Sequence, residues 1–152
     1  GRADIMRLFD RDKVKKSEFL LQIGTLNGNP VAAAAGLATL DVLKRPGAYT
    51  RLFAIGRQLW SSLETSLARA GIPALVVGEP VLFDALFTAR KQAHNYRATL
   101  DVDPGVSRRF HGLLQERGIL KGIGKIYVSL AHDERDVAQS AQAFNEAARM
   151  AA

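Results

Sequence analysis

The chain has 152 residues, 47% of them hydrophobic and 24% charged, a balance that suits one globular domain with a real core. It contains no cysteine, which excludes a disulfide framework and any thiolate metal site and fits a reducing, cytoplasmic setting. Its net charge is +6, but the only dense basic stretch is RDKVKK at 11–16, so the pattern favours a solvated basic face over a nucleic-acid partner.

Every long apolar run is broken by charge, glycine or proline, so none is expected to span a membrane, and GRADIMRLFDRDKVKKSEF has no secretory core. In chain order, ADIMRLF at 3–9 reads as a short helix, followed by the polar loop DRDKVKKSE. FLLQI at 19–23 reads as a short buried strand that delivers the chain to Gly24. Asn29 is placed to cap a helix, and Pro30 suits its first position, where a missing N–H costs nothing. The helix itself, Val31 to about Leu43, is apolar nearly all round and alanine-rich, so it is expected to be buried, with KRPG closing it.

The next helix is the most periodic segment. Leu52, Ile55, Leu59, Trp60, Leu63 and Leu67 follow the three-and-four spacing of one amphipathic face, and AGIP at 70–73 ends it. ALVVGEPVLFDALFT at 74–88 reads as two strands joined at Gly-Glu-Pro. ARKQAHNYRATLDVDPG is loop-like and leads to a helix with Val106, Phe110, Leu113 and Leu114 on one face, stopped by Gly118. KIYVSLA at 125–131 reads as another strand. A terminal helix follows, with Asp133 and Asp136 at capping-box spacing and Val137, Ala141, Phe144 and Ala148 as its stripe. The second half is therefore α+β, helices on a small mixed or antiparallel sheet, while the first 30 residues fit that unit poorly and look like the end of something else.

Chemistry-bearing patterns are few. His94, His111 and His132 lie far apart with no ligand spacing, so surface or packing roles are favoured; His132 stands between a strand end and a helix cap, where a local hydrogen bond across the turn is expected. Ser61, Ser62, Ser66, Ser107 and Ser140 fall on predicted helices with no base at a telling spacing. GILKGIGK at 118–125 lacks the gap and the hydroxyl residue of a phosphate loop, and it precedes a strand. GTLNGNP at 24–30 is different. Backbone N–H groups, the Thr25 hydroxyl and a helix N-terminus converge there, a combination that suits an anion, although the same residues are everyday turn and cap signals.

GTLNGNPVAAAAGLATLDVL resembles the G-T-x-x-G-N-P-x-A-x-A-A-G segment of the class-III, fold-type I aminotransferases, which depend on pyridoxal 5'-phosphate. GRADIM resembles the segment after that family's catalytic lysine, and RPGAYTRLFAIGRQLWSSL the long helix opening its C-terminal domain. FHGLLQERGI and YVSLAHDERDV resemble its later helix and last strand, in the glutamate-1-semialdehyde aminomutase-like branch. The resemblance covers essentially the whole chain. It implies an α/β and α+β fold: the end of the large cofactor-binding domain, with its dimer-interface loop and helix, over 1–45, and the C-terminal small domain, helices on a small antiparallel sheet, over 46–152.

In that family an amino group passes through a Schiff base on the cofactor, whose ring serves as an electron sink. The resemblance implies that Thr25, with Gly24 beside it, holds the cofactor phosphate of the partner subunit in a homodimer. It implies no metal and no membrane. The family's Schiff-base lysine would fall before Gly1, and none of Lys13, Lys15, Lys16, Lys44, Lys91, Lys121 or Lys125 has the matching context. The chain is accordingly expected to be the C-terminal part of a longer enzyme that does not catalyse alone. FTARKQAHNYRATLD departs from the aminomutase's F-T-x-x-x-V-x-N-Y, and Arg135 is near, but not in clear register with, the carboxylate-binding arginine of many transaminases, so an aminotransferase of the same branch is favoured over the aminomutase. A stand-alone basic module binding nucleic acid or a protein partner is the outside alternative, which would require strongly salt-dependent binding.

Overall fold

The computed structural model describes residues 1–21, 24–122 and 124–152, in two units, Gly1–Val42 and Leu43–Ala152. In the first, helix α1 (Ala3–Met6) tightens into a 3-10 turn over Arg7–Phe9. The Leu20 N–H donates to the Leu8 carbonyl at 2.9 Å, folding 19–21 back onto that turn as irregular chain and not as the expected strand; the rest of FLLQI, 22–23, lies outside the described residues. Helix α2 then runs Pro30–Leu43.

The burial expected of α2 is not found. Residues 30–41 are exposed throughout, with Val31, Leu37 and Leu40 at 77%, 65% and 51%. An apolar surface on every side gives a helix no preferred inner face, so composition alone does not fix what packs on it.

The second unit builds a core from one stripe. Helix α3 (Ala48–Arg69) buries Leu52, Ile55, Leu59, Leu63 and Leu67, at the spacing that puts them in line. Each such side chain contributes about 1.5–3 kcal/mol on leaving water. Strands β1 (Leu75–Glu79) and β2 (Leu82–Leu86) form an antiparallel hairpin, pairing Val76 with Ala85 and Gly78 with Phe83. A 3-10 turn, Tyr96–Thr99, interrupts the expected loop; the Asn95 side chain caps it by accepting from the Ala98 N–H. Helix α4 (Pro104–Glu116) is capped by Asp103, whose carboxylate accepts from the Gly105 and Val106 N–H groups at 2.8 and 3.0 Å.

Helices α3 and α4 end alike. Gly71 and Gly118 take φ of 71° and 77°, and the following Ile72 and Ile119 donate back to Leu67 and Leu114, each at a distance of 3.1 or 3.0 Å. This left-handed finish satisfies end carbonyls and turns each isoleucine inward, and glycine adopts it without strain.

Strand β3 is only Ile126–Tyr127, shorter than the expected 125–131, and pairs antiparallel with β2 to give the order β1-β2-β3. The Val128 N–H already reaches the Val81 carbonyl in the β1–β2 turn, so β2 has no further residues to pair. Helix α5 (Glu134–Ala151) opens on the expected capping box. Asp133 accepts from the Asp136 N–H, and Asp136 accepts in return from the Asp133 N–H at 2.8 Å. The buried small face of α5 (Ala143, Ala147, Ala148, Ala151) lets it lie close to α3, with Phe144 locked between. Phe83 meets Trp60 and Phe87 meets Phe110 at ring distances of 5.4 Å, closing sheet and helices into one core.

Candidate functional site

The segment 24–29 folds as two overlapping turns. The Asn27 N–H donates to the Gly24 carbonyl at 2.9 Å, and the Asn29 N–H to the Leu26 carbonyl at 3.1 Å. The Asn27 amide lies over position 24, where a side chain would have to push it aside. Gly24 and Thr25 are exposed, and among the described residues nothing bonds the Thr25 hydroxyl.

Asn29 caps α2 as expected. Its Oδ1 accepts from the Val31 and Ala32 N–H groups at 2.9 and 3.2 Å, and its carbonyl accepts from the Ala33 N–H at 3.0 Å. That refines the anion reading of this loop. The first-turn donors of α2 are already satisfied by the cap, so they are not available to a ligand. What remains is the Thr25 hydroxyl and the backbone beside Gly24, in a loop whose helix carries no acid in its first turn. A hydroxyl, a close-lying backbone and the positive end of a 14-residue helix fit one face of a phosphate, and they leave its other faces to other groups.

The histidines scatter as expected, with one exception. His94 Nε2 meets only Gln92 Oε1, at 3.0 Å, on the surface. His132 Nδ1 accepts from the Ser129 N–H at 3.2 Å, the local bond across the turn. His111, however, belongs to a cluster that spacing did not reveal. Lys121 Nζ donates to Asp84 Oδ1 and to His111 Nε2, both at 2.8 Å, with the Lys121 and Asp84 side chains 4% and 13% exposed. Burial, and then the Lys121 charge, push the His111 imidazole below its ordinary value of 6.5, against a smaller opposing pull from Asp84. Residues 37 and 10 positions from Lys121 meet there, and no local pattern signals such a meeting.

A cavity of about 250 Å³ is lined by residues 118–122 and 125–127 and by the start of α5, with Lys121, Lys125, His132 and Gln139 among its lining. Gly118–Gly122 and Lys125 of GILKGIGK line it, and β3 follows at Ile126. The Arg135 side chain bonds only Asp133 among the described residues and is exposed, at 93%.

No family model matches the chain. It is 38% identical over 154 aligned positions to the glutamate-1-semialdehyde 2,1-aminomutase of Thermus thermophilus, covering 97% of this chain and 34% of that protein. Among solved structures, the omega-transaminase of Sphaerobacter thermophilus matches with a TM-score of 0.74 at 29% identity, over 99% of this chain and 34% of that one. A transaminase with PLP bound matches with a TM-score of 0.68 at 30% identity, over the same shares.

The chain belongs to the class-III aminotransferase family. It spans about a third of the length of the curated relatives it matches, in keeping with the resemblance covering this whole chain and only part of the family's length. The family is pyridoxal-phosphate-dependent, and the three-stranded antiparallel sheet with its helices is this chain's share of the transaminase fold.

Proposed function

We propose that this chain is the C-terminal part of a pyridoxal-phosphate-dependent aminotransferase. Residues 1–45 finish the large domain and 46–152 form the small domain. Gly24 and Thr25 hold the phosphate of a cofactor seated mainly in the partner subunit of a homodimer. The observation that carries this reading is the coupling of an exposed glycine–threonine turn to a helix whose whole apolar surface is uncovered. A loop that completes another subunit's site needs both: donors that face outward, and an adjoining surface for that subunit to cover.

When bound, the cofactor supplies the electron sink for amino-group transfer between an amino acid or amine and a keto acid or aldehyde. Thr25 contributes a hydroxyl donor to the phosphate, and Gly24, with no side chain, lets the backbone approach it closely. Asn29 holds the turn against α2, so the hydroxyl is presented from a fixed backbone.

The test is made in the intact enzyme. Thr25→Ala is expected to weaken cofactor retention on dialysis about tenfold, the loss of one hydrogen bond to a charged group, while Thr25→Ser restores it. Unchanged retention in the alanine variant overturns the role of Thr25. An intact mass equal to that of this chain alone overturns its membership of a longer enzyme.

The aminomutase is the second reading, favoured by the curated relatives, which bear that name. An aminomutase turns over a single substrate, whereas an aminotransferase stalls until an acceptor is added.

A further inference from the structure

The Asn27 side chain has no part in the cap of α2, and the resemblance leaves position 27 open, as one of the two unspecified residues of G-T-x-x-G-N-P. Its backbone is nonetheless tied to the loop that holds Thr25. The Asn27 N–H donates to the Gly24 carbonyl at 2.9 Å, closing a four-residue turn whose second residue is Thr25. That closure lays the Asn27 side chain back over Gly24: a methyl group at position 24 would overlap its amide, with Nδ2 the nearest atom. A group drawing close to Gly24 from that side meets the Asn27 amide first. The side chain is exposed, and nothing bonds it among the described residues.

Two further observations bear on what that group would be held by. Asn29 already takes the Val31 and Ala32 N–H groups, so the helix start has few donors to offer. No charged side chain occurs from Gly24 to Leu40, so this stretch can hold an anion only through neutral donors and the helix dipole. An asparagine amide carries two N–H donors on one nitrogen, and the ionised oxygens of a phosphate only accept.

Building on the reading that this loop holds the cofactor phosphate, we propose that Asn27 is a third phosphate-binding residue, whose Nδ2 donates to the group that Thr25 and the Gly24 backbone hold. The amide makes up for donors that the Asn29 cap withdraws. It also favours a phosphorylated ligand over the same ring without the phosphate. The competing behaviour is obstruction, in which the amide has to swing away before the phosphate can reach Gly24.

The experiment titrates the intact enzyme, stripped of cofactor, with pyridoxal 5'-phosphate and, separately, with pyridoxal, which has the ring and no phosphate. Asn27→Ala is expected to weaken binding of the phosphate form about tenfold, the loss of one hydrogen bond to a charged group, and to leave pyridoxal binding unchanged. Asn27→Asp is expected to weaken the phosphate form further and again to spare pyridoxal, because it sets a carboxylate against the phosphate. Aspartate favours turns as asparagine does, so a role confined to shaping the turn leaves this variant like wild type, and that result overturns the proposal. Unchanged or tighter binding of the phosphate form by Asn27→Ala overturns it too, the tighter case marking the amide as an obstruction. An equal loss for both ligands does the same, since the effect then has nothing to do with the phosphate.

Thr25→Ala in the same titration separates this inference from the reading beneath it. If Thr25→Ala loses the preference for the phosphate form and Asn27→Ala keeps it, the loop holds phosphate without Asn27, and this inference alone fails. If both variants keep the preference, the reading of the loop fails with it.

Discussion

Lys121→Met removes the amine that Asp84 and His111 share, each at 2.8 Å, and leaves the flexible apolar stem in place. The Asp84 side chain is only 13% exposed, so water reaches the stranded carboxylate poorly. Breaking a buried pair from one side costs about 3–5 kcal/mol, because the surviving charge stays buried and uncompensated. Two hydrogen bonds involving a charged group, at about 1.5–3 kcal/mol each, give about 3–6 kcal/mol, an overlapping range from the other direction. We place the loss near the lower end, about 3 kcal/mol, because the half-buried His111 can exchange its lost partner for water. For a unit of this size, roughly 4 °C per kcal/mol makes that a fall of about 12 °C in Tm.

The double variant Lys121→Met, Asp84→Val is the discriminating one. With both charges gone, no buried ion is stranded, and a branched side chain suits the middle of a strand. It should lie within about 1–2 kcal/mol of wild type, giving a coupling of at least about 1 kcal/mol in a urea-denaturation cycle. Additive losses, or a single variant within about 1 kcal/mol of wild type, would refute the assignment of this pair as a buried, desolvated contact.

Leu63→Ala empties a fully buried site on α3 and should cost about 3–5 kcal/mol in denaturant unfolding. Arg117→Ala loses bonds to Glu146 and Met150 that tie the end of α4 to α5, and one to the Leu113 carbonyl of α4 itself, and should destabilise by less than Leu63→Ala in the same assay. The Asp103 and Asp133 carboxyls are held below their usual 3.8 by the N–H groups they cap, with Arg135 adding to the effect at Asp133. A lowered folded value means that their contribution is complete above 3.8 and is lost as pH falls through the folded value. Asp133→Asn should therefore flatten the acid limb of a stability–pH curve and leave the neutral limb unchanged in slope. Leu37→Glu on the exposed surface of α2 should leave unfolding of Leu43–Ala152 unchanged and break the proposed homodimer in sedimentation of the intact enzyme.

The readable parts of the sequence were those where the signal is local. The α3 stripe, the Asp133–Asp136 capping box, the Asn29 cap and the glycine stops at 71 and 118 each follow from spacing within one helix and its ends. What spacing could not supply was what lies opposite. The length of β3 is set by where β2 runs out, and the Lys121 cluster by three elements meeting. At α2, composition announced an apolar helix, and burial was the wrong inference because an all-round apolar surface does not by itself say what lies opposite; residues 30–41 are exposed. The Gly24–Thr25 loop stood out for its residues, while the competition between Asn29 and a ligand for the first-turn donors became visible only with the backbone in place.

That uncovered surface has a consequence for the loop. None of the described residues of Gly1–Val42 is buried, whereas Leu43–Ala152 closes a core of its own. A 14-residue helix has marginal stability in water without tertiary packing, since helix propensity barely repays nucleation. The turn at 24–29 is braced by α2 and so inherits that weakness. In the 152-residue chain alone, trypsin should cut early at Lys13, Lys15 and Lys16 and leave a resistant product beginning near Ala48. In the intact enzyme those early cuts should be suppressed, and cofactor should protect them further if Thr25 grips its phosphate. Early resistance of residues 1–42 in the isolated chain would mean that the unit is stable without a covering surface, and would remove the physical reason for placing α2 against another subunit.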